Sequence, residues 1–317
     1  MPFFMRVREE MEYLSVKELA EKWNLGERRI RLMCKEGKIK GVIREGRSYR
    51  IPADAIRPVD GRSVRGKQIP PKFQELFAQI DSLRKELQNC RQLTPERRER
   101  LREDFLEQFI YHSNALAGNS MNLAETRTVL QGKTLDQKPL KDLLELIGYK
   151  EAFEYVEKLA AEKTKISGKL IRGIHARILA DKWEEKGHYR TCMVPVPAIL
   201  NGIPRPEEVP LRMERLLKDH AERRKKMHAI EADAIFHMEF RRIHPFIDGN
   251  GRADRMILNF LLMEDGYLPI CVRVEDKERY QNAFRSYDLQ DNADPMVFLL
   301  AELVKEELER YLEAEKK

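Results

Sequence analysis

From Thr94 to the end of the 317-residue chain, apolar side chains recur at helical spacing, until Pro245 and the run Gly249-Asn250-Gly251 interrupt them. A proline cannot continue a helix and pushes its predecessor out of the αR region, while glycines permit the left-handed backbone of a tight turn. The pattern predicts a helix starting at the Thr94-Pro95-Glu96 cap, then helices over 141–162, 167–180, 208–229, 231–243, 251–265 and 293–315. The body is therefore expected to be mainly α, an all-α helical core with one forced loop. The only β-prone stretch after residue 70 is Thr191–Ile199, expected as a short β-hairpin flap. No run approaches 18 consecutive apolar residues, which excludes a predicted membrane span. The start turns charged at Arg6, too soon for a secretory leader, and Cys34, Cys90, Cys192 and Cys271 lie too far apart for a zinc site or disulfide scaffold. The reduced cytoplasm is the expected compartment.

Charge is distributed unevenly. Residues 28–50 hold nine basic and two acidic side chains, an excess of seven against a whole-chain net charge of +6, so the remainder is slightly negative. Such a block suits a polyanion. Ser15 and Glu18 form a capping box ahead of one short helix, Asn24 and Gly26 supply a turn, and a second helix covers Glu27–Lys35. Two β-prone runs around Glu45-Gly46 follow. Helix, turn, basic helix and basic hairpin resemble the excisionase/MerR-type winged helix-turn-helix, which implies DNA contact through Arg28, Arg29, Arg31 and Arg47; a protein-docking winged helix is the alternative. Pro58, Gly61, Gly66, Pro70 and Pro71 mark a linker, and Phe73 to Cys90 reads as an amphipathic helix. The expected division is 1–62 for the winged helix-turn-helix, 63–93 for linker and connecting helix, and 94–317 for the helical body.

The interrupted stretch carries the chemistry. Across His244-Pro245-Phe246-Ile247-Asp248-Gly249-Asn250-Gly251-Arg252-Ala253-Asp254-Arg255, the glycines let backbone N–H groups converge at a helix N-terminus, an anion site. Arg252 and Arg255 are three apart, placed to grip polyphosphate oxygens. Asp248 is a hard oxygen ligand suited to Mg²⁺, and His244 could take a proton from an attacking hydroxyl. Singly, each residue has a structural reading; together they form a phosphoryl- or nucleotidyl-transfer constellation.

The stretch resembles the Fic-family signature His-Pro-Phe-x-Asp-Gly-Asn-Gly-Arg-x-x-Arg without a gap. Gly187-His188-Tyr189-Arg190 and Ile171–His175 are also similar to family segments, and coverage is roughly residues 94–310, with the Fido core at about 164–305. The resemblance implies transfer of AMP from ATP to a Ser, Thr or Tyr hydroxyl of a target protein. His244 would be the base, Asp248 the Mg²⁺ ligand, and Phe246 the anchor of the loop. Gly249 and Gly251 would offer N–H groups, Asn250 would hold the α-phosphate, Arg252 the β-phosphate and Arg255 the γ-phosphate. The 191–199 flap would pair with a target segment by β-augmentation.

Upstream, Ser113, Gly118 and Asn119 match the family's inhibitory segment (about 97–119), where Ser/Thr-x-x-x-Glu-Gly-Asn is expected, but Ala117 occupies the glutamate position. The family's glutamate pairs with the second arginine, so residue 117 is expected to face Arg255 and, as alanine, to leave that guanidinium free. Either an activating substitution or divergence accounts for it. Two other readings stay open: a DNA-binding regulator whose Fic body senses nucleotide, and a Fic enzyme with de-AMPylation or another nucleotide or phosphate donor. A homodimer also stays open; no membrane partner is expected.

Overall fold

The computed structural model describes residues 13–23, 26–35, 37, 39, 41–46, 48–53, 55, 71–89, 94–133, 135, 137–179, 184–195 and 203–316. The chain divides into two compact units, Met1–Ile69 and Pro70–Lys317.

In the first unit, β1 (Tyr13–Ser15) leads into α1 (Val16–Trp23), α2 (Glu27–Lys35) and the hairpin β2 (Ile43–Glu45) and β3 (Ser48–Pro52). The sheet is antiparallel in the order β1-β3-β2, with Leu14 opposite Ile51 and Arg44 opposite Tyr49. Ser15 and Glu18 satisfy each other's backbone N–H groups at the start of α1, at 2.7 and 3.2 Å, as the capping box requires. Leu19, Ile30 and Ile51 close a small core. The hairpin turns on Gly46 at φ +61°, where a side chain would be strained. Asn24, Leu25 and Arg47 lie outside the described residues, as does most of the expected linker.

The second unit has helices and no strand among its described residues. Its helices are α3 (Pro71–Asn89), α4 (Pro95–Ala115), α5 (Leu123–Leu130), α6 (Leu140–Ala161), α7 (Gly168–Ile178), α8 (Val209–Arg223), α9 (Ala229–Ile243), α10 (Asn250–Glu264), α11 (Lys277–Gln290) and α12 (Asp294–Lys316). The sharpest cap is at α5: Asn122 and Glu125 bond each other's backbone N–H groups. Neither α5 nor α11 was among the predicted helices. At the centre lies α10, buried from Arg252 through Leu262 and packed against α6, α7 and α9.

Two expectations change. The helix read as a connector, α3, instead packs against α12 and belongs to the second unit. Phe73 meets Phe298 (ring centroids 6.0 Å apart), Phe77 stacks on His228 at 3.9 Å, and Arg84 covers the Tyr267 ring at 4.5 Å. Its apolar stripe needed a partner surface, and the body supplies one. The expected flap strands are also missing where described: Thr191–Pro195 pairs with no strand, and residues 196–199 lie outside the described residues.

Replacing Phe77 with alanine should therefore destabilise the body by about 3 kcal/mol, the usual cost of emptying a buried aromatic site. Urea denaturation of the full chain checks it; a change below about 0.5 kcal/mol would return α3 to the role of a loose connector.

Candidate functional site: the buried N-terminus of α10

The loop between α9 and α10 is shaped by three local devices. His244 caps α9 in the left-handed region (φ 48°, ψ 62°), ahead of Pro245, which cannot extend the helix. Gly249 is left-handed too, at φ +71°; a Cβ there would meet the Leu179 side chain at 3.2 Å. Asn250 closes the loop from inside: its Oδ1 accepts from the Phe246 N–H at 2.9 Å, and its Nδ2 donates to the Phe246 carbonyl at 2.8 Å. That amide is thus a brace. What Asn250 offers an anion is its backbone N–H, which with those of Gly251 and Arg252 has no intrahelical acceptor.

Phe246 is fully buried and anchors the loop, its ring stacked on His175 at 3.6 Å and 3°. His175, on α7, was not a predicted site residue. Its Nδ1 accepts from the Gly187 N–H at 3.0 Å, so the proton sits on Nε2, which donates to the Asp248 carbonyl at 3.0 Å. One neutral imidazole therefore fastens the loop to the segment ahead of the flap. Arg190 completes that attachment: its guanidinium donates to the His244 carbonyl at 2.8 Å and to the carbonyls of Cys192 and Pro204.

Burial first, and then the nearby charges of Arg190 and Arg241, lower the His244 pKa to about 4, against the opposing pull of Asp248. Burial likewise lowers His175 to about 4. Both imidazoles are neutral at pH 7. His244 is thus held ready to accept a proton. The Asp248 Oδ1 accepts from the Gly249 N–H at 2.6 Å. No group of three His, Cys, Asp or Glu side chains converges among the described residues, so a cation here would have one protein carboxylate and need further oxygens from its ligand. That donor set fits Mg²⁺ carried on a polyphosphate and does not fit an all-protein cage.

Both motif arginines are buried. Arg252 Nη1 pairs with Glu145 Oε1 of α6 at 3.0 Å and reaches Asn114 Oδ1 at 3.5 Å. Arg255 Nε donates to Ser113 Oγ and Nη2 to the Ser113 carbonyl, both at 2.7 Å. Ser113 Oγ donates onward to Tyr149 Oη at 2.7 Å, which donates to the Arg252 carbonyl at 3.2 Å. This corrects the expectation of a free Arg255: Ser113, one turn before Ala117, holds it. Ala117 itself is exposed, in the turn after α4, where Gly118 adopts φ +95°. Asn119 bonds Glu145 Oε2 at 2.9 Å. Glu145 and Ser113 thus link the end of α4 and the turn after it to the motif, and sequence reasoning missed Glu145 altogether. Its one signal was a carboxylate at a position where α6 is otherwise apolar.

In the first unit, Arg28 and Arg31 are exposed on α2, Arg31 pairing with Glu27 at 3.1 Å. Arg29 lies on the same helix with its side chain outside the described residues, as Arg47 is entirely.

A mainly helical body built around a buried, anion-accepting helix N-terminus, with a small helix-turn-helix unit, is the class that fold and site define. Residues 165–262 match the Fic/DOC family and residues 13–57 a helix-turn-helix domain, so the chain is a Fic-family protein joined to a helix-turn-helix domain. The protein adenylyltransferase Fic of Drosophila grimshawi is 32% identical over 218 residues, 67% of this chain and 44% of that protein. Its counterpart in Drosophila ananassae is 28% identical over 272 residues, covering 83% and 54%. The chain spans about half the length of the curated relatives it matches. Among solved structures, a Fic domain containing signaling protein from Bacteroides thetaiotaomicron is similar with TM-score 0.68 and 27% identity, over 77% of this chain and 97% of that one. Fic-1 from C. elegans gives the same score and identity over 77% and 72%.

The environment of His244 leads to a direct check. Its proton should leave with a midpoint near 4, well below the ordinary histidine value of about 6.5. Titration of the imidazole carbon-bound proton by NMR, assigned with His244→Asn, reads it. A midpoint at or above 6.5 would mean that water or an anion enters the site freely.

Proposed function

We propose that the body transfers AMP from ATP to a hydroxyl of a target protein, with the loop 244–255 as its active site. The observation that carries this reading is that one turn brings a neutral, half-buried histidine, a carboxylate and the N-terminus of α10 with two buried arginines to one place. The His244 imidazole takes the proton of a Ser, Thr or Tyr hydroxyl as the hydroxyl oxygen attacks the α-phosphorus. The bond from that phosphorus to the β-bridging oxygen breaks, and pyrophosphate leaves. The N–H groups of Asn250, Gly251 and Arg252 accept the charge on the α-phosphate, while Arg252 and Arg255 accept that of the β- and γ-phosphates. Asp248 would hold Mg²⁺, which when bound neutralises phosphate charge. The 191–195 run, fastened by Arg190 to the His244 carbonyl, would receive a target segment by β-augmentation.

His244→Asn should abolish transfer while changing ATP affinity less than about threefold, because asparagine tolerates the left-handed backbone and the base acts only on the incoming hydroxyl. Intact-mass detection of an added AMP, on the chain itself or on lysate proteins, gives the readout. Equal loss of transfer and ATP binding would make His244 a binding residue, and no labelled protein with the unaltered chain would sink the enzyme reading.

Autoinhibition belongs to the same proposal. Residue 117 is exposed in the turn after α4, so a glutamate there would reach Arg255 only where that turn re-forms as a further turn of α4; in that arrangement it would add a charged competitor for the γ-phosphate. Ala117→Glu should then slow transfer about tenfold, near 1.4 kcal/mol at the transition state. The same substitution in an Arg255→Ala background should have no further effect; unchanged self-modification by the Ala117→Glu protein would remove the brake from the account.

For the helix-turn-helix unit we propose contact with duplex DNA, supported by exposed Arg28, Arg31, Lys35 and Arg44 on α2 and the hairpin. Affinity of the full chain should fall steeply, by at least about tenfold, between 50 and 200 mM salt, and Arg28→Ala should shallow that dependence. Salt-independent binding by fluorescence anisotropy, or none, would favour a protein-docking role.

A further inference from the structure

Glu145 sits in the second turn of α6, buried, and its two oxygens face different partners. Oε1 takes Arg252 Nη1 at 3.0 Å, with Lys141 Nζ at 3.8 Å on the outer side. Oε2 accepts from Asn119 Nδ2 at 2.9 Å. Asn119 is itself fixed, its Nδ2 also donating to the Asp142 carbonyl at 3.1 Å and its Oδ1 accepting from the Met121 N–H at 3.1 Å. The guanidinium it reaches through Glu145 is 3% exposed, and Arg252 Nε is buried without a hydrogen-bond partner.

We propose that Glu145 is the positioning residue for Arg252: its carboxylate orients that guanidinium for the polyphosphate, tempers nucleotide affinity, and ties it to Asn119 at the end of the regulatory segment. This rests on the reading of the loop as an ATP site. Two physical consequences follow from one charge. A carboxylate at hydrogen-bond distance in a water-poor interior fixes the guanidinium plane, so less reorganisation remains when the phosphates arrive. The same negative charge repels an incoming polyphosphate and partly neutralises the cation that attracts it. Orientation favours the transition state and repulsion weakens ground-state binding, so loss of the charge should move kcat and ATP affinity in opposite directions. A residue that only packs would move both the same way, together with stability.

The Glu145→Gln variant of the full chain keeps the shape and an acceptor for Arg252, removes the charge, and turns an amide toward the amide of Asn119. Calorimetry with ATP and Mg²⁺ should show Kd tightened about fivefold, while single-turnover AMP transfer slows about tenfold. Glu145→Asp, which keeps the charge on a shorter stem, should leave Kd within about twofold of the unaltered chain while kcat still falls. In an Arg252→Ala background, Glu145→Gln should no longer change Kd, because the effect runs through that guanidinium. Weaker ATP binding in Glu145→Gln, in step with a lower kcat and a lower melting temperature, would reduce Glu145 to a packing residue. Tightening that persists without Arg252 would overturn the route through the arginine. If the unaltered chain binds no ATP, the nucleotide reading itself fails, and that shows before any variant is compared.

Discussion

The site depends on one constraint: a helix buried on every side begins with charged residues. From Arg252 to Leu262 α10 has no solvent face, yet its first turns carry Arg252, Asp254 and Arg255. A charge held in such surroundings needs a partner, and no residue of α10 supplies one. Three other helices do. Glu145 of α6 meets Arg252, His237 of α9 lies 2.7 Å from Asp254, and Ser113 of α4 receives Arg255. His237 in turn meets Tyr280 of α11 at 2.6 Å. Burial still holds the Asp254 carboxyl above its ordinary range, against the pull of His237. The helix order around α10 is thus coupled to the charges of the motif, and a shift of α4 or α6 would move a motif arginine.

The loop ahead of α10 is built by a complementary device. Its backbone is bent into left-handed positions at His244 and Gly249, and neutral groups hold the bends: the Asn250 amide, the His175 imidazole and the Phe246 ring. Apart from Arg190 on the His244 carbonyl and Asp248 on the Gly249 N–H, the contacts that hold the loop are made by neutral groups. The low pKa of His175 fits this, because a protonated ring could no longer accept from Gly187. That ring therefore gives the fold a dependence on acidity. With its folded value near 4 and an unfolded value near 6.5, the unfolded chain binds more protons in between, so this contribution to stability falls as pH drops through that window.

Much of this was legible in the sequence, and what was not has identifiable reasons. The capping box at Ser15, the helix pair of the first unit and most helices of the body follow from periodicity and caps, which are local. The helix α11 escaped because its buried stripe is Tyr280, Ala283, Phe284 and Tyr287 on an otherwise charged segment, at helical spacing but with little aliphatic content. The loop's chemistry could be read because His244, Asp248, Arg252 and Arg255 are close in sequence. Glu145 and His175 could not, since each acquires its role from a residue far along the chain, Arg252 for Glu145 and Asp248 for His175. The packing of α3 was hidden for a related reason: an amphipathic stripe states that a partner exists without saying which. Ala117 shows the limit of motif spacing. Counting places it beside Arg255, whereas the chain leaves helical geometry after Ala115 and turns residue 117 outward.

The two motif arginines are not equivalent, and the difference indicates how the site would respond to a polyphosphate. Arg252 has a carboxylate at hydrogen-bond distance. Arg255, among the described residues, has no ion pair; its partners are neutral, the hydroxyl and carbonyl of Ser113 and the Tyr280 side chain. A phosphate approaching Arg252 must share that cation with Glu145, whereas one approaching Arg255 replaces hydrogen bonds to uncharged oxygens with charge-assisted ones. The larger electrostatic gain therefore lies at Arg255. The same reasoning makes Arg255 the point at which an added carboxylate would act most strongly, and Ser113 the contact that it would have to rival.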